Sequence, residues 1–219
     1  HVCVVTSTAS GKTLCYNLPV LNTLLRDPQA AALYLFPTKA LANDQLTSLS
    51  KLIGDLRHPL AAQTYDGDTS RERRKAARSA GGFVITNPDM LHTGILPHHT
   101  QWAQLFQSPR YIVVDELHTY RGVFGSHFAN VLRRLKRICK FYGSSPQFIL
   151  TSATIANPQQ LAERLIEEPV TLIDDDGAPR GEKHWILINT PLIDPAIGQR
   201  RSVVLQARAI AARFLHSDV

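Results

Sequence analysis

The sequence is poor in what would send it to a membrane, a disulfide framework or disorder. No apolar run approaches the roughly 20 residues that span a bilayer. Only three cysteines are present, Cys3, Cys15 and Cys139, and none belongs to a Cys-x-x-Cys pair. Neither a zinc site nor a disulfide framework is therefore indicated, and reduced core thiols in a cytoplasmic protein are expected. No charged leader with a cleavage site stands before the first strand-like segment, so no signal peptide is read. Internal repeats and low-complexity tracts are absent. His98 and His99 have no Cys, Asp or Glu at ligand spacing, so a solvated loop after Pro97 is expected rather than a metal site.

What is present suits a packed α/β protein. Of 219 residues, 44% are hydrophobic and 19% charged, enough to build a core. The length fits one domain with an extension, or two small ones. The net charge of +6 mildly favours polyanionic partners. Apolar runs at Val2–Thr6, Ala32–Phe36, Ala61–Tyr65, Phe83–Thr86, Tyr111–Asp115, Gln147–Thr151 and Val170–Ile173 read as strands covered on both faces. Helical patterns lie between them, near 12–25, 39–55, 69–79, 88–94, 125–142 and 158–167. This alternation predicts a mostly parallel central sheet with helices on both faces. In 125–142 the stripe Phe128, Val131, Leu132, Leu135, Ile138 and Tyr142 is the buried face. Its basic residues, Arg133, Arg134, Lys136, Arg137 and Lys140, read as a solvated face. A polar break at 174–183 precedes an expected strand at His184–Ile188 and a helix near 199–215. The expected division is a main domain over 1–190 and a connecting segment over 191–219.

Residues 6–13 read Thr-Ser-Thr-Ala-Ser-Gly-Lys-Thr, directly after the first strand. Small residues let backbone N–H groups approach phosphates closely, and a helix starting there adds an electropositive N-terminus. Thr8, Ala9, Ser10, Gly11, Lys12 and Thr13 are the candidate nucleotide-binding loop. Lys12 would reach the β- and γ-phosphates, and Thr13 would offer its hydroxyl to Mg²⁺. The strict G-x-x-x-x-G-K-[ST] pattern is not met, because Thr6 stands at its first glycine. Alone, the stretch also fits a Ser/Thr-rich strand-to-helix turn.

Further along, the run Tyr111–Val114 ends in Asp115 and Glu116. Acids at the C-terminal end of a buried parallel strand face the crevice where such sheets bind ligands. Asp115 would hold Mg²⁺ through water, and Glu116 would orient the attacking water. Two acids capping the next helix would look the same. Ser152, Ala153 and Thr154 follow another apolar strand, and their hydroxyls could hydrogen-bond the acidic pair; an ordinary helix cap is the other reading.

Taken in order, Thr8-Ala-Ser-Gly-Lys-Thr, Phe36-Pro-Thr-Lys-Ala-Leu-Ala-Asn-Asp-Gln, Thr86-Asn-Pro-Asp-Met-Leu, Asp115-Glu-Leu-His and Thr151-Ser-Ala-Thr resemble the motifs of a superfamily 2 DExH-box helicase. Tyr65-Asp-Gly-Asp-Thr and the stretch from Asp115 to His127 resemble the MrfA/YprA-like DNA-repair branch, related to RecQ-type enzymes. The resemblance implies a RecA-like P-loop NTPase domain, the first of two motor domains, using ATP and Mg²⁺ to move 3′ to 5′ on single-stranded DNA, with RNA as the rival track. It implies catalytic roles for Lys12, Asp115 and Glu116, and coupling roles for His118, Ser152 and Thr154. Pro37, Thr38, Lys39, Gly67, Thr86, Asn87, Pro88 and Asp89 would line the nucleic acid. Asn189-Thr-Pro-Leu and the last helix resemble the passage into a second motor domain, so a fragment with weak or no turnover of its own is expected. A non-catalytic module with a relic ATP site remains the reading from another class.

Overall fold

The computed structural model describes residues 1–7, 10–56, 60, 62–67, 69, 72, 75, 77–78, 82–175, 177 and 185–216. Seven strands form one sheet: β1 (Val2–Val5), β2 (Ala31–Leu35), β3 (Ala62–Thr64), β4 (Gly82–Thr86), β5 (Pro109–Val114), β6 (Gln147–Ser152) and β7 (Thr171–Ile173). Their spatial order is β3-β4-β2-β5-β6-β1-β7, and every pairing is parallel. All strand C-termini therefore meet at one edge.

The side chains alternate between two cores. Leu33, Leu35, Val84, Ile112, Val114, Phe148 and Leu150 face one. Ala32, Tyr34, Phe36, Phe83, Ile85, Val113 and Ile149 face the other. This is the period of two expected of a strand buried on both sides. The helices α1 (Lys12–Arg26) and α2 (Lys39–Asp55) cover the second face with Tyr16, Val20, Leu24, Leu49 and Ile53. On the first lie α5 (Gly122–Phe141) and α6 (Pro158–Ile166).

Between β4 and β5 the chain winds through several short helices. These are α3 (Pro88–Met90), a π-helical turn Leu91–Ile95, a 3₁₀ helix Leu96–Trp102 and α4 (Ala103–Gln107). The expected helix at 88–94 is thus only the start of this run. His98 is exposed and breaks the 3₁₀ run with φ of −107° and ψ of 29°, as a solvated turn after Pro97 would, whereas the His99 ring is held by Tyr142, 3.0 Å from Nδ1 to the hydroxyl.

Other expectations need correction. In α5 the buried residue near the C-terminal end is Cys139, while Ile138 and Tyr142 are only partly covered. Cys15 is exposed, unlike buried Cys3 and Cys139, whose thiols burial pushes up to about 11. Most of the 69–79 helix, and Ala61 at the start of β3, lie outside the described residues.

The chain divides after Ala178. The second unit holds an antiparallel pair, β8 (Leu192–Asp194) with β9 (Gln199–Arg200), then α7 (Val203–His216). No strand forms over 185–188, and His184 is not described. Residues 199–200 are extended rather than helical, because they pair with β8. Among the described residues no helix is long and apolar enough to cross a membrane.

Gly125 fixes how α5 leaves the acidic loop. A Cβ there would meet the Tyr120 carbonyl oxygen at 2.5 Å and carbon at 2.7 Å, so backbone would have to move. Gly125→Ala should lower stability by about 2 kcal/mol in urea melts; an unchanged midpoint would show that the loop gives way freely.

Candidate functional site

The loop after β1 ends in a glycine that sets up α1. Gly11 has φ of 82°, a left-handed conformation that a side chain disfavours, and then α1 begins. The helix has no acidic residue in its first turn and no side-chain cap. Its leading N–H groups and its dipole are thus left without an anionic partner from this segment. Lys12 is half-buried and folds back on the loop, its Nζ donating to the carbonyls of Thr6 at 3.4 Å and Ser7 at 3.2 Å. The hydroxyls of Thr6 and Ser10 hydrogen-bond across the loop base. Thr8 and Ala9 lie outside the described residues. Such a loop can receive phosphate oxygens at the helix start, with an amine already beside them.

The Asp115 carboxylate, 8% exposed, stands at the end of β5. Oδ1 accepts the Glu116 backbone N–H at 2.8 Å and the Thr151 hydroxyl. Oδ2 accepts the Tyr16 hydroxyl at 3.2 Å. Among the described residues no lysine, arginine or histidine forms an ion pair with it. Tyr16 follows Lys12 by one helical turn, so this bond ties the phosphate-loop helix to the acidic strand end. Burial first, then the neighbouring Asp115 charge, pushes the Tyr16 phenol well above its ordinary range and keeps it a donor. The Thr13 side chain lies near the same phenol and acts on it in the opposite direction.

Neither Tyr16 nor Thr151 stood out in the sequence as a site residue. The hydrogen bond expected from Ser152 or Thr154 comes from Thr151, and sheet register is the reason. Val114 pairs with Leu150, which sets Thr151 beside Asp115 on the same side of the sheet. The period of two then turns Ser152 the other way. Ser152 instead donates to the Ala153 carbonyl at 2.8 Å, and Thr154 is exposed. For Tyr16 the signal was its place one turn beyond Lys12.

Glu116 has φ of 54°, uncommon for a residue with a side chain. Its carboxylate lies 3.3 Å from His118 Nδ1. The same nitrogen is 3.4 Å from the Ala153 N–H, placed to accept from it. One ring atom cannot serve both at once. Unprotonated, it accepts from Ala153; protonated, it donates to Glu116. The tautomer of His118 thus decides whether the acids or the end of β6 are engaged.

A carboxylate without a cation, close to a threonine hydroxyl, is a hard-oxygen donor set of the kind Mg²⁺ takes. Among the described residues no group of three or more His, Cys, Asp or Glu is placed to hold a metal ion by itself.

The candidate nucleic-acid residues lie along the same edge, beyond β2, β3 and β4. Thr38 caps α2, its Oγ1 accepting from Leu41 N–H at 3.3 Å, and Asn87 caps α3, accepting from Met90 N–H at 2.9 Å. Lys39 reaches Gly67, where an added Cβ would sit 3.4 Å from Nζ. Thr38, Lys39 and Asp89 are exposed, Pro37 and Asn87 half-buried, and Pro88 buried. Thr86 is buried and its hydroxyl donates to the Tyr65 carbonyl at 2.6 Å, so it holds two strand ends together.

The family model for DEAD/DEAH box helicases matches residues 1–161. The ATP-dependent helicase YprA of Bacillus subtilis is 57% identical over 218 residues, covering 100% of this chain and 29% of YprA. The ATP-dependent helicase HRQ1 of Saccharomyces cerevisiae is 40% identical over 225 residues, covering 100% of this chain and 21% of that protein. A crystal structure of the DUF1998 helicase MrfA bound to DNA and AMPPNP superposes with a TM-score of 0.89 at 57% identity, covering 98% of this chain and 30% of that one. The chain therefore spans less than a third of the length of these relatives. It belongs to the DEAD/DEAH box helicase family.

Proposed function

We propose that this chain is the nucleotide-binding motor domain of an ATP-driven helicase that moves 3′ to 5′ on single-stranded DNA in DNA repair. The observation that carries the reading is the Tyr16–Asp115 hydrogen bond, which draws the phosphate loop and the acidic strand end to one crevice. The likeness to YprA and to MrfA, whose structure contains DNA and AMPPNP, supports it.

Residues Ser10 to Thr13 and the open N-terminus of α1 bind the phosphates, and Lys12 leaves the loop carbonyls to meet them. Asp115 and Thr13 would hold Mg²⁺, which would supply neutralisation of phosphate charge. Tyr16, Thr151 and the Glu116 N–H fix the orientation of Asp115. Glu116 orients and polarises the water that attacks the γ-phosphoryl group. His118, with Ser152 and Thr154 nearby, passes the state of the nucleotide to a second RecA-like domain of the same protein. Pro37, Thr38, Lys39, Gly67, Asn87 and Asp89 hold the strand through its backbone, with Thr86 and Pro88 setting the strand end behind them. A second domain would also supply the arginine that such reactions use, worth roughly 10³–10⁵ in rate.

In the full-length protein, single-stranded DNA should stimulate phosphate release, and unlabelled RNA should compete poorly for labelled DNA. Glu116→Gln should retain nucleotide and lower turnover by about 10²–10⁴-fold. Lys12→Ala should abolish binding of a fluorescent nucleotide. Turnover that survives Glu116→Gln would leave only a nucleic-acid-binding module with a relic site. Tyr16→Phe, which removes one hydroxyl, should raise the Mg²⁺ concentration for half-maximal turnover by about tenfold, with thermal melting little changed. A normal Mg²⁺ dependence would remove Tyr16 from the account.

A further inference from the structure

The two long faces of α5 differ in how their charge is balanced. On the face toward α6, Arg133 pairs with Glu167 at 2.6 Å and Lys136 with Glu168 at 3.0 Å. Arg134 faces the 88–99 helices, and Arg137 lies between the two faces, lining hollows on both; neither forms an ion pair with any described residue. Arg134 is half-buried all the same. A guanidinium taken partly out of water without a carboxylate is an anion site in waiting.

These arginines belong to a stripe. Phe124, His127, Asn130, Arg134, Arg137 and Phe141 recur at intervals of three and four, which aligns them along one side of a helix. The stripe is about 25 Å long at 1.5 Å per residue. Two hollows run along it. One, of about 340 Å³, lies between this stripe and Pro88, Asp89 and His92. The other, of about 750 Å³, continues past Arg134 and Arg137 to His99 and Phe141. Arg134 and Asn130 line both, so the hollows are neighbours along the helix. The only acid on their described walls is Asp89, at the end that adjoins Asn87. Phe124 is 41% and Phe141 76% exposed, one near each end.

We infer that this groove is a second segment of the nucleic-acid path, taking the sugar-phosphate backbone of a single strand that runs on from Asn87–Asp89. The inference rests on the proposed track at Thr38–Asp89. Arg134 and Arg137 bind successive phosphates, Asn130 adds a neutral hydrogen-bonding group, and bases stack on Phe141. The contacts are to backbone and ring faces, so the groove carries no sequence preference.

The test uses the full-length protein and oligothymidylates of about 6 and about 20 nucleotides, the shorter filling only the first track. Arg134→Gln with Arg137→Gln should weaken the long strand about tenfold and leave the short one unchanged. It should also reduce the slope of log affinity against log salt by about 1.4, two single-strand phosphates. Phe141→Ala, at an exposed position, should weaken the long strand about fivefold and covers the case where the arginine pair fails to fold. Unchanged long-strand affinity and slope, or equal losses on both lengths, would overturn the groove and point to a protein segment as its occupant. Thr38→Ala with Asn87→Ala separates the two readings. If that pair weakens the short strand while the α5 variants do nothing, only the groove fails. If neither does anything, the proposed track fails as well.

Discussion

The structure turns on the Asp115 carboxylate and the three donors that hold it. Each comes from a different place: a helix on one face, a neighbouring strand, and the backbone immediately after the acid. A buried carboxylate without a countercharge is costly, and donors only partly offset that cost. The remaining demand for positive charge falls at the end of β5, where Tyr16 of the phosphate-loop helix reaches the acid. The fold thus maintains an electrostatic deficit that a hydrated cation with a triphosphate can fill. Behind it, Tyr16 and Tyr34 meet edge to face with centroids 5.5 Å apart, and Tyr34 donates to buried Asn17 at 2.9 Å. These contacts seat α1 on the sheet, so the phosphate loop and the acid keep their spacing.

The strands, and the helices on both faces, were legible because a doubly covered parallel sheet writes long apolar runs separated by helical periods. The phosphate loop and the acidic pair were legible through residue type and through position at strand ends. Their mutual contact was not. Thr151 and Ser152 differ in sequence by one place, and only the pairing of β5 with β6 decides which faces Asp115. Tyr16 carries no site signal in the sequence, since a phenol packs like a hydrophobe until its hydroxyl finds a partner. The run from Pro88 to Gln107 was misjudged for another reason. Pro97 and the paired histidines suggest a loop, but packing of Leu91, Ile95, Leu96 and Trp102 into the core overrides that local preference. The strand expected over 184–188 has apolar residues, but 185–188 pair with no strand among the described residues.

Charge is distributed with the same economy. The net +6 is not spread evenly over α5. Glu167 and Glu168 pair with Arg133 and Lys136, while Arg134 and Arg137 stay without an ion pair among the described residues. Composition records the excess of basic residues, and only the packing of α6 against α5 shows where it is left over. The nucleotide crevice and the cationic groove adjoin different parts of the chain that runs on from β4 and β5, so a shift of Asn87–Asp89 would be felt at the groove wall.

The most direct measurement is nucleotide affinity with and without Mg²⁺, by calorimetry, in the full-length protein and in its Asp115→Asn variant. The account predicts tighter binding with the metal in the parent protein. In the variant that gain disappears, while metal-free affinity is retained or rises because a negative charge facing the phosphates has been removed. A gain of the same size in Asp115→Asn would mean that the caged carboxylate is not where the metal sits, and the account would fall.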